Sequence, residues 1–190
     1  MKPSVNCRPD LWESLFLTLR LAILVTALLL VIAAPVAWWL SRSKRKVVGL
    51  VESLVALPIV LPPTVLGFYL LALFAPDTLP GRFWFSFTGG TLAFSFSGLV
   101  LGSVIYSLPY AVQPLVAAFR GLSGNVLDAA TTLGANEWNL FRRIALPLSR
   151  RGLAVSAMLT FAHTMGEFGV VVMLGGSIPG KNARRLHRPL

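Results

Sequence analysis

The chain has 190 residues, 55% of them hydrophobic and 13% charged, with a formal net charge of +10. This composition excludes an ordinary soluble domain and points to a protein built for a bilayer. The charge alone would suit a nucleic-acid binder, but its placement along the chain assigns it to membrane orientation instead and excludes nucleic acid as a partner. A single cysteine, Cys7, leaves no internal disulfide and no cysteine metal cluster.

Four apolar stretches, residues 15–40, 47–75, 92–119 and 152–174, are long enough to cross the hydrocarbon core. A spanning helix needs about 20 mostly apolar residues. Barrel strands would instead show alternating runs of about ten. The expected fold is therefore all-α: a polytopic membrane protein of about four transmembrane helices. The first stretch is too long for the core of a cleaved signal, follows Asp10 and Glu13, and is closed by Arg42, Lys44, Arg45 and Lys46. It reads as a retained helix running from outside to inside. That assignment places nine cations inside (Arg42, Lys44, Arg45, Lys46, Arg120, Arg142, Arg143, Arg150, Arg151) and three outside (Lys2, Arg8, Arg82), the bias expected of retained cytoplasmic loops. Trp12 at one end of the first helix and Trp38-Trp39 at the other suit the two interfacial aromatic belts. Arg20 reads as a side chain that snorkels to the outer surface.

The second stretch contains Pro58, Pro62 and Pro63. Each removes a backbone donor and obstructs the preceding turn, so this helix is expected to bend or break near mid-membrane. Carbonyls freed there need partners inside protein or in a water-filled cavity. Both a packing kink and a pathway-lining or gating role fit. Residues 77–90 read as an outer loop with Pro76, Pro80, Gly81, Gly89 and Gly90 as breakers, its run Phe83-Trp84-Phe85-Ser86-Phe87 lying in the interface or on the bundle. The third helix carries Ser103, Ser107, Pro109 and Gln113, residues suited to a helix that faces its neighbours or a pathway.

Residues 128–147 form the one long polar insert between apolar segments. Asn125 is expected to cap a short helix through Leu127, Ala129, Ala130 and Leu133, with Asp128 favoured by the positive end in its first turn. Gly134 is expected to end that helix in left-handed geometry. Asn136 and Glu137 then open a second helix through Trp138, Leu140, Phe141 and Ile144. Pro147 is expected to restrict Leu146 and begin the fourth membrane helix. The product is a paired-helix projection on the inner side.

Asp128-Ala129-Ala130, then Gly134, then Ile144-x-Leu146-Pro147 resembles the signature loop of permeases of ABC importers, which usually carry Glu where Asp128 stands. The stretch from Leu57 through Pro62, Pro63 and Gly67 to Leu71 looks like the second-helix signature of molybdate permeases. Gly166-Glu167-Phe168-Gly169 with Ile178-Pro179-Gly180 is similar to the segment after their loop, and sulfate and tungstate permeases share much of it. The resemblance covers residues 10–180 as one permease transmembrane domain. It implies the type I importer fold, a bacterial inner-membrane location, and a pathway subunit for an oxyanion, molybdate first and sulfate or tungstate as alternatives. It also implies an ATPase subunit docked at the coupling loop (Asp128, Ala129, Ala130, Gly134, Ile144, Leu146, Pro147), a second permease copy as homodimer partner, an external oxyanion-binding protein, and no cofactor. The resemblance implies that ATP is hydrolysed in the partner; separately, no nucleophile-base pair or ligand cluster is evident in this sequence, so catalysis within the chain is not expected. The Gly175 to Lys181 match to a phosphate-binding loop lacks its metal-binding hydroxyl, having Asn182 there, and is rejected.

Glu167 lies about 22 Å along the fourth helix at 1.5 Å per residue. A central acidic residue costs about 2.5–3.5 kcal/mol on insertion scales. His163 one turn away, a neighbouring helix or pathway water would offset this. A carboxylate repels an oxyanion, so a hinge or gate element fits Glu167 better than a substrate ligand, and His163 reads as a packing residue. Members of the resembled family continue past Gly180 with another membrane helix, whereas residues 181–190 form a basic tail with Lys181, Arg184, Arg185 and Arg188 on the expected outer side. A frameshifted or truncated product is the expectation here. The alternative function is a non-transporting membrane remnant that still binds the ATPase.

Overall fold

The computed structural model describes residues 8–166, and all regular structure among them is helical. Those residues form two compact units, one of residues 8–45 and 110–166 and one of residues 46–109. Glu167, the Gly166–Gly169 motif beyond its first glycine, and the basic tail lie outside the described residues.

In the first unit, α1 is a 35-residue helix, Arg8–Arg42. At 1.5 Å per residue it is about 52 Å long, so it outruns the roughly 30 Å hydrocarbon core. Pro35 sits inside it without ending it. Its buried face repeats at every fourth residue through Val25, Leu29, Ala33 and Ala37, the spacing of one helix face. α9, Arg150–Gly166, packs along α1. Its own buried line is Ser156, Thr160 and Thr164. Gly152 continues that line one turn earlier, and a Cβ there would collide with the Ala118 side chain. Ser156 donates its hydroxyl to the Ala111 carbonyl at 2.7 Å. Small residues thus let α9 approach the last part of α5 (Phe96–Arg120) closely, the usual way membrane helices gain packing.

The two tryptophans at the end of α1 part company. Trp39 is exposed and suits the expected belt, whereas Trp38 is only 8% exposed and turns into the protein. Adjacent residues on a helix point about 100° apart, so a shared belt role was available to only one of them.

In the second unit the second apolar stretch breaks at its prolines as expected, into α2, Val47–Val60, and α3, Pro63–Leu73, bent by 111°. Their 14 and 11 residues correspond to about 21 and 16 Å, and neither alone crosses the hydrocarbon core. The residue before a proline is driven to extended backbone, and the Pro62-Pro63 pair applies this twice. Leu61 has φ −81°, ψ 133° and Pro62 φ −57°, ψ 141°. Pro63 then occupies the first turn of α3, where a missing N–H is harmless. Pro58 is buried inside α2 and does not break it.

The expected outer loop contains a helix, α4, Leu79–Thr88. Thr78 caps it, its hydroxyl accepting from the Gly81 N–H at 3.2 Å. Pro80 therefore acts as a helix starter and not as a breaker. Gly89, at φ +69°, ends the helix. The helices α1 and α5 are each long and apolar enough to cross a membrane, and the bent α2–α3 pair makes a third span if it counts as one. The expected fourth span is described only through Gly166.

Candidate functional site

The polar insert folds as two joined helical segments in the first unit. The first, α6, is Gly124–Thr132. Its cap position is Ser123, at φ −63°, ψ 125°, so Asn125 lies inside the helix and is not its cap. Starting earlier also moves Asp128 into the second turn and out of the first, which removes the expected benefit from the positive helix end. Two backbone donors set the start: the N–H groups of Val126 and Leu127 both bond the Ser123 carbonyl.

Gly134 ends α6 as expected, at φ +85°. The Ala135 N–H bonds the Ala130 carbonyl at 3.0 Å and the Gly134 N–H bonds the Thr131 carbonyl at 2.9 Å. This paired closure is the Schellman arrangement, and it satisfies the carbonyls a helix end otherwise leaves open. The hydroxyls of Thr131 and Thr132 fold back onto the carbonyls of Leu127 and Asp128.

Asn136 caps the second segment, its side-chain oxygen accepting from the Asn139 N–H at 2.9 Å. α7, Glu137–Asn139, passes into a π-helical turn, Leu140–Ala145, and then into α8, Leu146–Leu148. The Leu146 N–H bonds the Phe141 carbonyl, five residues back. Wider winding brings Leu140, Phe141 and Ala145 to one buried face. Pro147 does not restrict Leu146, which stays helical at φ −58°, ψ −50°. Proline falls in the first turn of α8, where it is tolerated, just after the loosened π winding. The actual interruption before α9 is Ser149, at φ −92°, ψ 19°.

Asp128, Ala129 and Gly134 are exposed and Ala130 is half-buried, so the Asp-Ala-Ala…Gly part of the pattern lies on the surface of the unit. Ile144 and Leu146 are half-buried on the second segment, with Pro147 exposed beyond them. Only Leu127 anchors α6 inward. Two large apolar residues that sequence reasoning assigned merely to helix bodies belong to the exposed surface: Leu133, 89% exposed, and Trp138, 60% exposed. Their signal was position, one immediately before the Gly134 turn and one two residues after the Asn136 cap. The pair shares an end of the unit with the tail of α1, because Arg42 reaches Glu137 at 3.4 Å. The other proposed pathway residues, Pro58, Pro62 and Pro63, lie in the second unit. Within the first, His163 stacks on Tyr110 with ring centroids 3.8 Å apart, as a packing residue would.

Long apolar helices joined to an exposed, backbone-closed helix pair define an integral membrane component. The chain belongs to the family of binding-protein-dependent transport system inner membrane components, whose match covers residues 30–185. It is 52% identical over 165 residues to the molybdenum transport system permease protein ModB of Azotobacter vinelandii, covering 87% of this chain and 73% of that protein. The corresponding ModB of Escherichia coli strain K12 is 35% identical over 170 residues, covering 90% and 74%. The sulfate transport system permease protein CysW of Synechocystis is 32% identical over 171 residues, covering 90% and 62%.

Proposed function

We propose that this chain is the membrane permease subunit of an ATP-driven oxyanion importer, with molybdate as the carried anion. The observation that carries the reading is the α6–α7 pair, whose exposed Asp128, Ala129 and Gly134 follow the family's loop pattern within a rigid backbone closure. The relatives named for molybdenum transport support the substrate, and the sulfate permease relative keeps sulfate as the competing anion.

In this reading two copies of the chain flank a central pathway. An external binding protein delivers the anion, and each copy receives an ATPase subunit on Asp128, Ala129, Ala130 and Gly134, flanked by Ile144, Leu146 and Pro147. Closure and opening of the ATPase pair then alternate the pathway between the two sides, and ATP is hydrolysed in the partner. The proline break at Pro58, Pro62 and Pro63 is the gate candidate, since a bent pair of helices has two arrangements available more readily than a straight rod. Glu167 serves as a hydrogen-bonded hinge in the same scheme, because a carboxylate repels the cargo. Replacing Gly134 by Asp tests the docking step. Any side chain is strained at φ +85°, and the added charge enters the contact surface. The expected outcome is loss of ATPase co-purification with membrane insertion intact. Unchanged co-purification would sink the docking assignment.

A further inference from the structure

Three aromatic rings from three elements meet beneath the helix pair. Trp38 of α1 lies edge-on to Phe119 of α5, with centroids 5.6 Å apart and planes at 85°. It also lies 6.1 Å from Phe141 of the π turn. Phe119 and Phe141 close the triangle at 6.3 Å, and all three side chains are buried. The cluster reaches the surface twice. Trp138, exposed beside the docking surface, packs on Phe141 at 5.6 Å. Arg42 lies 5.5 Å over the Trp38 ring while its guanidinium meets Glu137.

The arrangement has a mechanical reading. α6 buries only Leu127 and packs directly against the π turn, so a push on its exposed face passes through that contact and the closed Gly134 turn into the second segment. There it meets Phe141, which the π winding turns inward with Leu140 and Ala145. Close-packed aromatic contacts have little compressibility and few rotamers, so they transmit displacement and do not absorb it. We propose that Trp38, Phe119 and Phe141 are positioning residues forming the joint that passes motion of the docked helix pair to α1 and α5. This rests on the docking reading, and extends it by naming the residues that link the docking surface to two membrane helices.

The test reconstitutes the permease with its ATPase and binding protein in proteoliposomes and measures radiolabelled molybdate taken up per ATP hydrolysed, normalised to assembled complex. Trp38→Ala is expected to lower that ratio at least tenfold while the ATPase subunit still co-purifies, and Trp38→Phe to restore most of it. Because truncating Trp38 leaves a cavity, Phe119→Leu, which nearly conserves volume, is measured beside it and is expected to lower the ratio several-fold. A ratio within twofold of the parent in either alanine or leucine variant, or a fall in uptake matched by loss of assembled complex alone, overturns the joint. Failure of the docking reading looks different: the ATPase then remains bound to Gly134→Asp, whatever the aromatic variants do.

Discussion

Gly152 and Gly134 are both glycines for reasons the structure makes physical, and the reasons differ. At Gly134 a Cβ would meet nothing within 4 Å, so the constraint there is the backbone angle. At Gly152 the backbone is ordinary and the constraint is the Ala118 side chain. Gly152→Ala therefore forces α9 away from α5, and overpacking of this kind costs about 1–3 kcal/mol. The companion change Ala118→Gly returns the space. Thermal inactivation of the detergent-solubilised protein is expected to be faster in Gly152→Ala and largely corrected in the double variant; equal loss in both would mean the contact is not the cause. Gly134 was recognisable from sequence because it closes a polar, helix-forming run. Gly152 was read only as the start of an apolar segment, since nothing local signals a neighbour 34 positions away.

Helix ends were the least legible elements, and proline shows why. Pro62 and Pro63 broke their helix as expected because two adjacent prolines force two extended residues. Pro80 did not break its helix, because it falls in a first turn, where the missing donor has no partner to lose; Pro147 did not, because it directly follows the π turn, whose looser winding accommodates it. A proline's effect depends on the register of the helix around it, and that register is decided by caps such as Thr78 and by the π turn, neither of which announces itself in composition. The same dependence displaced the cap of α6 from Asn125 to Ser123. A consequence can be measured at the α2–α3 break. The double change Pro62→Ala and Pro63→Ala restores two donors and frees Leu61 and Pro62's replacement to become helical. Spin labels at Leu50 and Leu73 are expected to move apart as the two helices merge. An unchanged separation would mean that packing, and not the proline pair, holds the 111° bend.

For the molecule as a whole, the membrane class and the family were legible because they rest on long-range composition and on fixed spacings, which survive local misreadings. The exposed surface formed by Leu133 and Trp138 was not, since an apolar residue facing solvent contradicts the rule by which helix faces are assigned. Substrate choice is tested on the intact importer. Molybdate uptake is expected to be unaffected by a hundredfold excess of sulfate if molybdate is the cargo, and to fall sharply if the chain serves sulfate.

The closed turn between Ala130 and Ala135 also bears on how such a surface changes over generations. Its angle is held by main-chain bonds and one capping amide, so the exposed side chains contribute little to shape. Exchanging Leu133, whose side chain is almost wholly exposed, is expected to leave the orientation of the pair unchanged. On the docking reading proposed above, recognition of a changed ATPase can then drift by single substitutions at the surface, because geometry and affinity are written in different atoms.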